Sequence, residues 1–296
     1  MSGSKSRKAE KPRRAILFIN PIKKHARDLG SEIRGELASL GITSDLFSPN
    51  EKPGKGYDVA ISLGGDGTVL SASRIVSKLG IPIFPVNLGT FGFIAGVQPP
   101  EWREVFLSWL GGKAPLSRRL MLEVRVERKG LEVFSGCCLN DLVISASGIA
   151  KIINLQVFYG ETGGTGFIKL GSYRSDGLIA ATPTGSTAYS VAAGGPIVDP
   201  ELEALIINPI CPFILSHRPI VLPAGETVLV EVEEEQRSGV LLTVDGQVTE
   251  KLKNGDRIFL RKAPYSCLLI ASGRTGFYHT LRTKFAWAGM TEAGED

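Results

Sequence analysis

A carboxylate inside a glycine-rich turn is the sharpest chemical feature of the sequence. In Asp58-Val59-Ala60-Ile61-Ser62-Leu63-Gly64-Gly65-Asp66-Gly67-Thr68 an apolar segment stops at two glycines, and a helical pattern follows over 69–79. A strand that turns on glycines into a helix presents backbone N–H groups to a phosphate. Glycines also let the ligand approach the backbone closely. Gly64, Gly65, Gly67 and Thr68 are therefore a candidate phosphate-binding turn. Asp66 would repel the anion unless it holds a metal or takes a proton from an attacking hydroxyl. Its presence points to phosphoryl transfer onto an alcohol. The same residues also suit an ordinary tight turn, the common use of Asp-Gly.

A second cluster lies downstream. Ser172-Tyr173-Arg174-Ser175-Asp176-Gly177 precedes a strand, and Thr182-Pro183-Thr184-Gly185-Ser186-Thr187-Ala188-Tyr189 follows it. Its hydroxyls lead into 188–193, which reads as a helix N-terminus. Capping accounts for one hydroxyl there, not for four with a tyrosine and Gly194-Gly195-Pro196 so near. Upstream, Asn140-Asp141 sets an amide beside a carboxylate, a pair that suits nucleoside hydroxyls and equally an ordinary turn. The glycine-rich stretch 160–166 resembles a phosphate loop by composition. It has no following helix and no nearby lysine, and reads as a hairpin tip.

The elements that must position these residues change character near residue 115. Before it, strands at 15–20, 44–48, 58–63 and 81–87 alternate with helical patterns. Leu29, Ile33, Leu37 and Leu40 share one helical face, as do Trp102, Val105, Phe106 and Trp109. Such alternation predicts a Rossmann-like parallel sheet flanked by helices, with ligands at the carboxyl ends of its strands. After Pro115, short strands are predicted at 122–127, 131–134, 152–159, 167–170, 178–181, 227–233, 240–244, 257–261 and 267–271. That density of strands and turns predicts a β-rich domain of packed antiparallel sheets. The expected organisation is a disordered basic tail over 1–14, an α/β domain over 15–114, a β-rich domain over 115–273, and a C-terminal segment over 274–296 returning to the first domain.

Composition narrows the class. The chain has 296 residues, 43% of them hydrophobic, enough for two cores. No apolar run approaches a membrane span and no secretory h-region follows the start. Net charge is only +4 and cations are dispersed among acids, which disfavours nucleic acid as a partner. The four cysteines form no CxxC pair, and adjacent Cys137 and Cys138 point to opposite faces of a strand. A cytoplasmic setting is expected, with no membrane partner.

Taken together these segments resemble the NAD kinase family. Its Gly-Gly-Asp-Gly-Thr motif is matched by 64–68, its Asn-x-Gly-x-x-Gly-Phe loop by 87–93, and its Asn-acid pair by Asn140-Asp141. Asp176-Gly177 and the Thr182–Tyr189 block follow in the family's order. Later segments, Leu215-Ser216-His217-Arg218-Pro219-Ile220-Val221, Asp245-Gly246-Gln247 and Leu281-Arg282-Thr283-Lys284-Phe285-Ala286-Trp287, look alike too. The first motif is shared with diacylglycerol, sphingosine and phosphofructo-kinases; the Thr182–Tyr189 block is the more specific.

The resemblance implies an enzyme that transfers a phosphoryl group from ATP, or in some members polyphosphate, to the adenosine-ribose 2′-hydroxyl of NAD, giving NADP. It implies a divalent cation, expected to be Mg2+, with no residue assigned as its ligand. Asp66 would be the general base. Asn140 and Asp141 would bind adenosine, and Thr187, Ala188 and Tyr189 would line the adenine pocket. Asp176 would lie on the nicotinamide side, and Gly67, Phe93 and Arg174 would also meet NAD. A homodimer or homotetramer formed through the β-rich, NAD-binding domain is implied, with Asp176 facing a neighbouring subunit. Two departures stand out: Ala192 where serine is usual, and Phe91 where leucine is common. Two other readings use the same residues. A lipid-type kinase would need an apolar acceptor groove or membrane-facing surface, and neither is found. A non-catalytic dinucleotide-binding protein would have little use for Asp66.

Overall fold

A computed structural model describes residues 12–19, 24–49, 53–54, 56–89, 92–148, 151–160 and 166–285. The basic tail up to residue 11, Phe91, 161–165 and 286–296 lie outside the described residues. The chain forms two compact units, Met1–Ser117 with Leu268–Asp296, and Arg118–Cys267.

The first unit is built on parallel strands β1 (Arg14–Ile19), β2 (Thr43–Leu46), β3 (Val59–Gly64) and β4 (Ile83–Asn87), in the order β2-β1-β3-β4. β3 is central and buried along its whole length, as its unbroken apolar run requires. Helix α1 (Lys24–Ser39) buries Ile33 and Leu37, and α3 (Trp102–Leu110) buries Trp102 and Phe106. These four-residue spacings place one apolar stripe of each helix in a core with Leu17, Phe84 and Val86. The strand order reverses between β1 and β3. Crevices at such switch points, outside the strands' carboxyl ends, are where open α/β sheets hold ligands, and Asp66 follows β3 there.

Helix α2 (Asp66–Val76) begins earlier than the apolar pattern over 69–79 predicts. Gly65 is still extended, and Asp66 takes the first helical position, where the helix dipole favours a carboxylate. Periodicity could not see this turn because its residues are polar or glycine.

The second unit is a sandwich of antiparallel strands: β5 (Leu116–Arg128), β6 (Leu131–Cys138), β7 (Asp141–Ala146), β8 (Ile153–Gly160), β9 (Ile168–Ser175), β10 (Gly177–Ala181), β11 (Ala204–Ile210), β12 (Ile220–Pro223), β13 (Thr227–Val232), β14 (Val240–Val244), β15 (Val248–Leu252) and β16 (Arg257–Ile270). One sheet runs β12-β11-β10-β7-β14-β15; the other contains β16-β13-β8-β9 with β5 and β6. Alternate residues of both sheets face inward, including Leu142, Ile144, Leu178 and Leu242 from one and Leu155, Val157, Val228 and Val230 from the other.

The structure corrects several boundaries. Strands predicted at 257–261 and 267–271 are one strand, β16. Its ladder with β13 ends at Leu260, so Pro264 removes no donor from that ladder. Ala271 adopts φ +57 and closes the strand. Strands β7, β11, β12 and β15 escaped the pattern: β7 starts on the Asn-Asp pair, β11 is buried at six of its seven positions and contains Pro209, β12 ends on Pro223, and β15 is largely exposed. The predicted helix at 188–193 is a 3-10 turn, Thr184–Thr187, followed by a one-turn helix, Tyr189–Ala192.

Candidate active site

In the first unit the Asp66 carboxylate is held by the main chain of the loop after β4. Oδ2 accepts the N–H of Phe93 at 3.0 Å, and Oδ1 accepts those of Ile94 at 3.3 Å and Ala95 at 2.9 Å. An ionised carboxylate offers about four lone-pair sites, so one further site remains, on Oδ2. Glycine is required where this loop crosses: a Cβ on Gly92 would lie 2.6 Å from Asp66 Cγ and 2.7 Å from Oδ2. A Cβ on Gly64 would lie 2.8 Å from Thr68 Cβ, so the turn closes only with glycine there. Gly65, Gly67 and Thr68 complete it, Gly67 exposed and the Thr68 N–H bonded to Gly65 O. Phe93 is half-buried, its ring against Phe277 and Phe285 of the C-terminal helix Arg274–Phe285.

In the second unit Asn140 and Asp141 sit against the Thr182–Tyr189 block. A Cβ on Gly185 would lie 2.7 Å from Asn140 Cα, so the two segments touch backbone to backbone. Three of the block's four hydroxyls have structural work. Thr182 Oγ1 donates to Leu139 O and accepts from Gly185 N, Ser186 Oγ donates to Pro183 O and accepts from Val198 N, and Thr187 Oγ1 donates to Thr184 O. The fourth, Thr184 Oγ1, is buried without a hydrogen-bond partner, and so is Asn140 Oδ1. A buried polar atom left unpaired costs about 1–3 kcal/mol, so two together mark a place where a ligand's polar groups belong. Thr187 and Ala188 are half-buried beside them, and Tyr189 is exposed.

Asp141 is buried, and so is Asp245 on the turn between β14 and β15. The Asp245 carboxylate accepts the N–H groups of Leu139, Asn140 and Asp141, capping the segment that carries the Asn-Asp pair. Asp245 and Gly246 both take positive φ, the hairpin signature of Asp-Gly. Burial, and then the neighbouring Asp245 charge, push the Asp141 carboxyl from 3.8 up to about 7, against a backbone N–H from Tyr189. Near neutral pH this carboxyl can therefore donate as well as accept. Asp245 and Thr184 were not recognised as site residues from the sequence. Asp-Gly between alternating runs was the signal available for the first, and nothing local marks the second.

Arg174 and Asp176 do not join this group within one chain. Asp176 precedes β10, whereas Ala181, at the other end of that strand, pairs with Asp141. Five residues of strand separate the two ends by about 17 Å. Arg174 lies with Asp176, its guanidinium 4.8 Å from the Phe213 ring centre.

Among the described residues no group of three or more His, Cys, Asp or Glu side chains could hold a metal ion. Magnesium is commonly held by one or two carboxylates together with substrate phosphates and waters. Asp66, with one acceptor site to spare, fits that mode and no all-protein cage.

Residues 17–113 match the ATP-NAD kinase N-terminal domain, and 139–272 match the ATP-NAD kinase C-terminal domain. An NAD kinase of Treponema denticola is 39% identical over 284 residues, covering 94% of this chain and 98% of the relative. One of Geobacter sulfurreducens is 44% identical over 230 residues, 78% of each chain. Among solved structures, an Archaeoglobus fulgidus NAD kinase in complex with ATP aligns with TM-score 0.70 at 25% identity, covering 91% of this chain and 97% of that one. A yeast NADH kinase complexed with NADH aligns with TM-score 0.85 at 22% identity over 97% and 91%, a likeness of fold. With both domains matched in order and relatives this similar along nearly its whole length, the chain belongs to the NAD kinase family.

Proposed function

We propose that the protein phosphorylates NAD at the adenosine-ribose 2′-hydroxyl, with ATP as donor, to give NADP. The observation that carries this reading is the Asp66 carboxylate, fixed by three main-chain N–H groups yet keeping one acceptor site on Oδ2. Such a group can orient a hydroxyl and take its proton as the oxygen attacks phosphorus. The helix N-terminus and the Gly64, Gly65, Gly67 and Thr68 turn supply positive potential for the donor phosphates. Positioning and electrostatics do most of the work in phosphoryl transfer, so few side chains suffice. Asn140 and Asp141 would hold adenosine, with Thr184 completing their hydrogen bonds and Thr187, Ala188 and Tyr189 shaping the adenine pocket. Gly67 and Phe93 would contact NAD near Asp66. The one free site on Oδ2 serves the hydroxyl, so a bound Mg2+ would be held by the donor phosphates and waters and would neutralise charge on the transferred group.

Asp176, at the far end of β10, would serve the nicotinamide side from a second copy of the chain, in a homodimer or homotetramer, with Arg174 beside it among the NAD-binding residues. Activity that falls on dilution, as sedimentation shows the oligomer dissociating, tests this. Among the described residues no helix is long and apolar enough to cross a membrane, and a cytoplasmic enzyme is the reading that also suits the cysteine pattern. Incubation with NAD, ATP and magnesium tests the function. NADP is the expected product; no phosphorylated dinucleotide would refute it.

A further inference from the structure

The C-terminal helix Arg274–Phe285 carries a cation that the mechanism above does not use. Lys284 sets its ammonium 5.2 Å from the centre of the Phe93 ring, the same ring that Phe277 and Phe285 contact at 6.0 and 5.9 Å. Phe93 is also the residue whose N–H anchors Asp66 Oδ2. Neither the 64–68 turn nor the 92–95 loop contains a lysine or arginine. A polyphosphate brought beside an ionised Asp66 meets like charge, and helix-terminal amides offset only part of it. Aromatic packing therefore brings a positive side chain, from a distant part of the sequence, onto the residue whose N–H anchors Asp66. Lys284 is exposed, and its flexible stem leaves the ammonium free to exchange the ring face for a phosphate oxygen.

We propose that Lys284 is a substrate-contacting residue of the phosphoryl-donor site, where its ammonium pairs with the donor's polyphosphate chain beside Asp66. This rests on the NAD kinase reading. In the transfer the 2′-oxygen bonds to the terminal phosphorus, and the bond from that phosphorus to the bridging oxygen breaks. The bridging oxygen leaves with the electron pair on ADP, and the hydroxyl proton passes to Asp66. Lys284 offsets charge on the phosphate oxygens and neither gains nor loses a proton.

The test compares wild type, Lys284→Met, which keeps the stem over Phe93 without the charge, and Lys284→Arg, which restores it. NADP formation is followed with NAD saturating and ATP varied, beside equilibrium binding of ATP and of NAD separately, and melting temperature. Losing one charged hydrogen bond should lower kcat/KM for ATP roughly 10- to 100-fold in Lys284→Met and weaken ATP binding. NAD binding and melting should stay unchanged, and Lys284→Arg should recover most of the loss. If the wild type also accepts inorganic polyphosphate, the same loss is expected with that donor, because the ammonium would contact phosphate and not base. Unchanged ATP constants, or equal losses in ATP binding, NAD binding and melting, would overturn the inference. Lys284→Gln carries the same comparison should the methionine variant fail to fold. A wild type that makes no NADP would overturn the proposed function itself, a result distinguishable from normal donor constants in the variants.

Discussion

Replacing Asp141 with asparagine should make the protein more stable at alkaline pH than at acid pH, relative to wild type. The Asp141 carboxyl is raised from 3.8 to about 7, first by burial and then by the Asp245 charge. Its folded value thus lies above its unfolded one, so the native state binds more protons between those values. Stability from this group is full below about pH 4 and is lost as pH rises through 7. The rise from 3.8 to about 7 sets an upper figure of about 4 kcal/mol. In Asp141→Asn the amide keeps the size, accepts the Tyr189 N–H and can turn its NH2 toward Asp245, so it escapes the cost of a buried anion. Urea unfolding of both proteins between about pH 4.5 and 8.5 measures the difference, in which most other titrating groups cancel. The stability of the variant minus that of wild type should grow across this window and level off above about pH 8. A difference independent of pH, or one that shrinks as pH rises, would refute the reasoning.

Other perturbations separate the two clusters. Gly92→Ala drives a methyl into Asp66 and should lower turnover by about 10²-fold or more while NAD binding by calorimetry is preserved. Asp245→Ala strips the cap from Leu139, Asn140 and Asp141, and denaturation should show a loss of about 1–3 kcal/mol for each buried N–H left unpaired. Asn140→Ala should weaken NAD binding by roughly 1–3 kcal/mol while the melting temperature without ligand moves less than the ligand-induced shift. Equal loss of stability with and without NAD would make that pair a structural turn.

The parts of the fold that were legible in the sequence are those whose signal is local. Ile33 and Leu37, or Trp102 and Phe106, announce a helix face within a few residues, and the run from Val59 to Leu63 announces a buried parallel strand. The Asp66 turn was legible for the same reason. Its clamp was not, because the three amides come from residues 27 to 29 positions later. Asp245 lies more than a hundred residues from the segment it caps, and only the sandwich brings them together. The hydroxyls of the Thr182–Tyr189 block were visible, but composition could not separate Ser186, bonded to Pro183 and Val198, from Thr184, left unpaired. Strands β11 and β15 stayed hidden because one is buried nearly throughout and the other mostly polar, so neither alternates.

The central claim is that Asp66 acts on the reacting hydroxyl, and single-turnover NADP formation by Asp66→Asn tests it most directly. The asparagine keeps the shape and its Oδ1 can still accept the Ile94 and Ala95 N–H groups, but its NH2 replaces the oxygen that accepts from Phe93, and the base and the charge are removed. The rate of the chemical step should fall by about 10²–10⁴-fold at saturating NAD and ATP, while the dissociation constant for NAD stays near that of wild type. A near-normal rate in Asp66→Asn would contradict the account and leave the carboxylate as a structural anchor for the loop above it.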